Sequence, residues 1–245
     1  MDVSSNPPAR VARLAGEFLI IVVGVLVALS ADTWIQSQQE RQSEGAYLQA
    51  LREDLVETRL SLQESNAERD RIFNALTQLA NSDLGVEPPD SVAEWVYTGL
   101  FLIGSFRPQL AALSDIQTAD QVRLLTPEVR REIAELDRAL VELAGVEDDF
   151  TRSQQSLLDP YLVARTPLVS ILAAADSLPL PSRSLSEADW RALPREELLN
   201  AIAFKMSLGK VAAGFRTALG QQLERLGYAV DARLEELGVV ESTGG

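Results

Sequence analysis

The sequence predicts an all-α protein in which an N-terminal transmembrane helix continues into an elongated helical bundle. Three observations carry this prediction: an apolar run at residues 14–35, leucines spaced by three and four residues after it, and no stretch that alternates with period two. Spacing by three and four marks one face of a helix, whereas a half-buried strand alternates. We therefore divide the chain into a short N-terminal segment (1–13), an anchor (14–35) and a helical domain (36–245).

The predicted anchor is long enough to cross a bilayer. Between Phe18 and Leu29 it holds nothing more polar than Gly24. The run from Leu14 to Ile35 gives about 33 Å of helix at about 1.5 Å per residue. The segment therefore satisfies the length that a membrane span requires.

A cleaved secretory signal would share several of these features. Such a signal has a basic start, a shorter apolar stretch and a small-residue cleavage site, for which Ala28-Leu29-Ser30 is a candidate. Two features argue against a cleaved signal. Glu17 places an acid at the start of the apolar stretch, and the helical pattern continues past Trp34 with no Gly or Pro between Trp34 and Gly45. These features favour an anchor that is retained.

Basic residues on either side of the anchor predict its orientation. Arg10 and Arg13 lie close to its N-terminal end, and Arg41 and Arg52 follow at a greater distance on the other side. Lys and Arg nearest the span favour the cytoplasmic side. We expect the N-terminus in the cytoplasm and the helical domain in the periplasm, with the protein in the inner membrane.

One face of the anchor is a candidate contact between membrane helices. Glu17, Ile21, Gly24 and Ala28 lie on a three-four repeat, and Gly24 with Ala28 forms a small-xxx-small pair that permits close backbone approach. An acid inside a span is costly unless it reaches water or a partner. Glu17 either pairs helices or extends to the headgroups beside Arg13, and the sequence leaves both interpretations open.

The segment after the anchor predicts a stalk with a helical packing seam. Its apolar stripe, Leu48, Leu51, Leu55 and Leu62, becomes polar at Thr58, Ser65 and Arg69 before apolar residues return. Since the polar positions weaken a coiled coil, we expect this stripe to pack mainly on the chain's own bundle. An oligomer contact would be limited to its membrane-proximal part.

Capping signals divide the remaining chain into further helices. Ser91-Val-Ala-Glu94 matches a capping box and predicts a helix to about Ile103, and a second helix is expected at 108–125. Thr126-Pro127-Glu128 predicts an N-cap, with the helix ending at Asp159-Pro160. Residues 168–175 are expected as a short buried helix and 176–186 as a loop. The last helix should run from Pro194 to about Gly238.

Composition excludes several function classes. The formal net charge of −14 opposes nucleic-acid binding and docking of the domain on anionic lipid. The chain has no histidine and no cysteine, so the commonest general base, the commonest nitrogen metal ligand and the thiolate nucleophile are absent. Ser207-Leu-Gly-Lys210 matches S-x-x-K by chance, since the accompanying elements are missing. We expect no catalytic residues, no cofactor and no metal.

Acidic residues cluster at Glu147-Asp148-Asp149. Consecutive helical positions point about 100° apart, so these three carboxylates do not converge on one ion. A solvated helix face is the interpretation that the pattern favours.

Two blocks of residues resemble a known family. The first block is Gly16-Glu17, Gly24, Ala28-Leu29, Trp34, Tyr47-Leu48, Leu51 and Asp54-Leu55, and the second is Phe106-x-Pro108, Val122-Arg123-Leu124-Leu125 and Val129-Arg130. Over about residues 14–55 and 104–133 the chain resembles uncharacterised bacterial single-pass membrane proteins that carry a domain of unknown function. The resemblance implies a membrane-anchored helical protein and brings no catalytic residues.

The sequence leaves two main functions open. The first is a non-enzymatic interaction or scaffolding protein of the bacterial envelope, whose partners are the lipid bilayer and a second copy or another envelope protein. The alternative is a periplasmic sensor-like domain that binds a small ligand between its helices and acts through a membrane partner. A membrane-bound hydrolase ranks third.

Overall fold

The computed structural model describes residues 7–83, 89–108, 110–118, 121–166, 171 and 194–239, without the side chains of 7–21, 89–90, 117–118 and 121. Within these ranges the chain is helical with no strand, which confirms the all-α prediction. The helices are α1 (Pro7–Asn81), α2 (Pro89–Val96), α3 (Ala111–Thr118), α4 (Pro127–Ser153), α5 (Asp159–Arg165) and α6 (Arg195–Glu236). The predicted short helix and loop at 168–186 lie outside the described residues, apart from the buried Ile171.

The longest element, α1, spans 75 residues without interruption. The predicted continuity between the anchor segment and the stalk is confirmed. Only two glycines and no proline occur in it after Gly16, and an isolated glycine costs a helix about 1 kcal/mol without breaking it. Its far end is capped by Arg195, whose Nη1 donates to the Leu79 carbonyl oxygen at 3.1 Å.

The region between α1 and α4 is more irregular than the capping signals predict. Helix α2 begins at Pro89, two residues before the predicted Ser91 N-cap, and ends in a π-helical turn at Tyr97–Phe101. An irregular segment to Pro108 follows. The single helix expected at 108–125 is wrong, since α3 ends at Thr118 and a 3₁₀ turn occupies Gln121–Leu124.

The start of α4 was predicted correctly and its end was not. Thr126 is the N-cap, and its hydroxyl accepts from the Val129 backbone N–H at 3.3 Å. Helical structure does not stop at Asp159-Pro160, because a π turn at Gln154–Leu158 leads directly into α5. The π turn lets Pro160 enter near the first turn of a new helix, where its missing N–H leaves no bond unmade.

The last helix, α6, runs antiparallel to α1 and ends before Gly238, whose φ is +70°. By length and composition alone, α6 could cross a membrane, and it is the one such helix among the residues whose side chains are described, which leave out residues 7–21 of α1. Core helices of bundles satisfy the same criterion. Because α6 buries Lys205, Arg216 and Gln222 against other helices, we interpret it as the central helix of the bundle.

Two apolar clusters fill the bundle. The first cluster joins the stalk leucines to Leu219, Leu223, Leu226, Val230 and Leu234 of α6. The distal cluster contains Ile72, Leu76 and Leu79 of α1, Val92, Val96 and Leu100 of the α2 region, and Leu198 and Ile202 of α6. Between the clusters lie the polar residues Ser65 and Arg69 on α1 and Arg216 on α6. The core is thus divided by a polar layer.

Candidate functional site

The N-terminal part of α1 presents uncovered apolar surface. Its large residues from Val23 to Ile35 are between 49% and 67% exposed, namely Val23, Val25, Leu26, Val27, Leu29, Trp34 and Ile35. A Cβ added at Gly24 would meet no atom within 4 Å. A helix that is apolar on all sides requires an apolar environment. The described chain provides none around this segment.

The candidate contact face of the anchor is described only in part. Gly24 and Ala28 are exposed on α1, while the side chains of Glu17 and Ile21 lie outside the described residues. Contacts between copies do not arise in a single chain. The pairing role of these four positions therefore stays a prediction.

A polar collar separates the apolar segment from the bundle. Residues 36–43, Gln-Ser-Gln-Gln-Glu-Arg-Gln-Ser, are helical and all exposed. From Ile35 to Glu44 the helix rises about 14 Å at about 1.5 Å per residue. The collar therefore separates the exposed apolar segment from the first buried residue by about 14 Å along the helix.

An ion pair marks the end of the bundle nearest the collar. Glu44 accepts two hydrogen bonds from Arg233 of α6, from Nε at 2.8 Å and from Nη2 at 2.9 Å. These bonds raise the pKa of Arg233 further above its ordinary value. Next to Glu44, Gly45 faces Val239, where an added Cβ would lie 3.2 Å from Val239 Cγ2. The C-terminal end of α6 therefore packs against α1 directly after the collar.

The four seam leucines of the stalk lie in the core. Leu48 and Leu51 are fully buried, and Leu55 and Leu62 are almost so, in the first apolar cluster with α6. Thr58, within the same stretch, is buried as well. The stripe that the sequence singled out therefore packs inside the chain's own bundle.

The polar layer is organised by Arg216. Its side chain is 1% exposed and its Nε donates to Glu147 Oε1 at 2.8 Å. Its Nη1 donates to the Ser65 hydroxyl at 3.1 Å, and its Nη2 donates to the Gly104 carbonyl oxygen. One guanidinium therefore joins α1, α4 and the irregular segment after α2.

Lys205 caps the π turn that ends α2. Its Nζ donates to the carbonyl oxygens of Leu100 at 2.7 Å and Leu102 at 2.8 Å. Gln154, the first residue of the second π turn, also donates to Leu100 at 2.8 Å. Burial lowers the pKa of Lys205 to about 7, an effect that Asp159 opposes in part. The lysine satisfies carbonyls that a regular helix would have paired internally.

The side chains of the polar layer bind one another or the backbone of neighbouring segments. Arg216 and Glu147 bind each other, and Lys205 and Gln154 bind backbone carbonyls. No group of three acidic residues in the described ranges is arranged to hold a metal ion. These side chains use their hydrogen-bonding groups to connect helices where the backbone is irregular.

Sequence reasoning assigned Glu147 to a solvated face, and this was wrong. Asp148 and Asp149 are exposed and pair with Arg107 and Arg152, but Glu147 is buried. The sequence did contain a sign that Glu147 is buried. Glu147 lies between Leu143 and Phe150 at the four-three spacing of the buried face of α4. Arg216 occupies the matching place between Ala212 and Leu219 on α6. Opposite charges at seam positions of two helices would have identified the pair.

An apolar cavity lies on the outside of the bundle. It has a volume of about 420 Å³ and is bounded by the segment before α3, by α3 and by α4. Phe106, Leu110, Leu113, Leu140 and Val141 form its apolar walls. Volumes of this order are common among pockets for small ligands.

Comparison with known proteins gives no assignment. No family model, no curated protein and no solved structure matches this chain.

Proposed function

We propose that this protein is a non-enzymatic, membrane-anchored helical scaffold of the bacterial envelope, with its N-terminus in the cytoplasm and its bundle in the periplasm. One observation carries the proposal: the same unbroken helix that is uncovered and apolar from Val23 to Ile35 becomes part of the bundle core from Leu48 onward. No hinge separates the two parts. The bundle would be held in a fixed orientation to the membrane.

The dimensions of α1 support a spacing role. From Ile35 to Asn81 the helix rises about 69 Å at about 1.5 Å per residue. The ion pair of Glu44 with Arg233 and the seam leucines stiffen the part nearest the membrane. The resemblance of residues 14–55 to uncharacterised bacterial single-pass proteins agrees with this location. A rigid rod of this length suits a protein that positions a partner, or a second copy, at a defined height.

Self-association through the anchor is the first assembly to test. Glu17, Ile21, Gly24 and Ala28 would form the contact, with Gly24 permitting close approach of two backbones. Full-length copies labelled with donor or acceptor dyes in lipid vesicles should show energy transfer above that of random mixing. Gly24→Leu should weaken the transfer strongly. Glu17→Leu should weaken it less, because a hydrogen bond between membrane helices contributes only about 0.6 kcal/mol.

A matched control distinguishes the loss of a specific helix contact from the general effect of a larger side chain. Val22 lies about 200° around the helix from Gly24, so Val22→Leu enlarges a side chain on the far face and should leave the transfer unchanged. Energy transfer in the unmodified protein no greater than random mixing would contradict self-association. Equal transfer in all variants would remove the proposed face.

A second candidate function, a ligand-binding sensor domain, is favoured by the cavity of about 420 Å³ beside α4. Any signal would pass to a membrane partner. A structure solved with co-purified molecules in place distinguishes the two functions. A small molecule seated on Leu113, Leu140 and Val141 favours the sensor, and a vacant cavity favours the scaffold.

A further inference from the structure

A second, much smaller cavity lies inside the polar layer. Its volume is about 20 Å³, and its lining includes the cations Arg69, Lys205 and Arg216 and the single acid Glu147. Ile72, Phe73 and Phe150 complete the walls. A space of about 10–15 Å³ is enough for one water-sized particle. The cavity therefore admits one water or one monatomic ion, and excludes phosphate and sulfate by size.

Two of the three cations are already compensated. Arg216 is paired with Glu147, and Nζ of Lys205 donates to two carbonyl oxygens near the half-buried Asp159. Arg69 differs from them. The nearest carboxylate to its Nη2 is Asp70 at 3.7 Å, which is beyond hydrogen-bond distance and 72% exposed. An exposed pair of this kind contributes little.

The other terminal nitrogen of Arg69 lacks a protein acceptor. Nη1 is buried and makes no hydrogen bond to any group in the described chain. A buried donor on a charged group that is left unsatisfied is costly, and the charge of Arg69 has no close carboxylate to balance it within the cavity. Both the hydrogen-bond requirement and the charge favour an acceptor that is negatively charged.

We propose that this cavity binds one halide-sized anion, chloride in the cell, through Arg69 Nη1. The ion would complete the hydrogen bonding of Arg69 and neutralise the excess positive charge of the polar layer. Since this layer joins α1, α4 and α6, chloride would stabilise the folded bundle. The site is independent of the scaffold proposal, because it concerns the interior of one chain.

The test is the chloride dependence of thermal unfolding of the full-length protein in detergent. Sodium chloride replaces sodium gluconate at constant ionic strength, because gluconate is too large for the cavity. Above the dissociation constant, the Tm should rise by about 3–5 °C for each tenfold increase in chloride. Arg69→Met should abolish the dependence. Arg71→Met, which removes an exposed arginine of the same helix, should retain it.

Crystals of the unmodified protein soaked in bromide give a test that needs no variant. An anomalous peak within hydrogen-bond distance of Arg69 Nη1 is expected. The proposal is overturned if Arg69→Met and the unmodified protein respond equally to chloride. It is also overturned by density for a water at this place, or by a direct bond from Nη1 to Asn66 Oδ1, which likewise lacks a partner among the described groups.

Discussion

At the scale of the residue, Arg216 and Glu147 face each other from α6 and α4 with side chains only 1% and 3% exposed. Taking two charges out of water costs several kcal/mol each, and their attraction offsets this only when the remaining hydrogen-bonding groups are satisfied. Ser65 and Gly104 satisfy the guanidinium here. The pair therefore fixes the register of three segments more than it adds stability.

Removing one member of this pair should lower the free energy of unfolding much more than removing both. Arg216→Met leaves Glu147 buried without a partner and should lower the free energy of unfolding by about 3–5 kcal/mol. The double variant with Glu147→Met should recover most of that loss. Arg138→Met, which breaks an exposed pair with Glu135, should change stability by less than about 1 kcal/mol. Denaturant unfolding measures all three, and a double variant no better than the single one would contradict this account.

Lys205 should make the stability of the bundle depend on pH. Its pKa is about 7 in the folded protein and about 10.4 when unfolded, so between these values the unfolded state binds the extra proton. Stability due to this lysine therefore rises with pH from about 7 to about 10, by at most about 1.4 kcal/mol per unit.

The comparison of the unmodified protein with Lys205→Met isolates this effect. The difference between their free energies of unfolding should become more favourable to the unmodified protein as pH rises from about 7 to about 10. Lys210→Met, at an exposed position on the same helix, should show no such trend. A difference that stays flat across this range would mean that Lys205 titrates normally.

At the scale of the element, α1 changes its environment four times without changing its backbone. It passes from uncovered apolar residues to the polar collar, then to the leucine seam, then to the polar layer and finally to the distal cluster. Each change follows the sequence, because the backbone hydrogen bonds are internal to the helix and only the side chains differ. One helix can therefore serve as anchor, spacer and core.

The seam gives an element-scale prediction. Leu51→Asp places a carboxylate where the side chain is fully buried, and should lower the free energy of unfolding by at least about 3 kcal/mol. A loss of that size lowers the Tm by about 6 °C or more in a domain of this length. Gln49→Asp, on the exposed face of α1, should change the Tm by much less. An unchanged Tm in Leu51→Asp would mean that the seam is solvated in solution.

The bounds of a helix could be predicted where neighbouring residues determine them. They could not be predicted where a side chain far along the chain completes the hydrogen bonding. The Thr126 cap, the start of α6 after Pro194 and the continuity of α1 follow from neighbouring residues. The two π turns do not, since Lys205 and Gln154 complete the first from far along the chain. The same holds for the polar layer: Ser65 and Arg69 appeared only as a weakness in the seam. Arg216 of α6 explains Ser65, and Arg69 lines the small cavity of the layer.

At the scale of the whole molecule, the proposed anchor would fix the position of the bundle, because one continuous helix, α1, contains the anchor and part of the bundle core. Residues 36–43 are polar and exposed, so the bundle begins about 14 Å beyond Ile35 and, in the proposed arrangement, would lie outside the bilayer. The formal net charge of −14 opposes its adhesion to anionic lipid. The molecule would stand on the membrane by its first helix alone.

Cysteine labelling tests this arrangement most directly, because the chain has no cysteine of its own. Single variants Ser5→Cys, Val27→Cys and Ser43→Cys are treated with a membrane-impermeant maleimide, in cells with a permeabilised outer membrane and again after lysis. We predict that position 43 labels in cells, position 5 only after lysis, and position 27 in neither. Labelling of position 27 as readily as position 43 after lysis would contradict the membrane anchor. Labelling of position 5 but not 43 in cells would contradict the orientation.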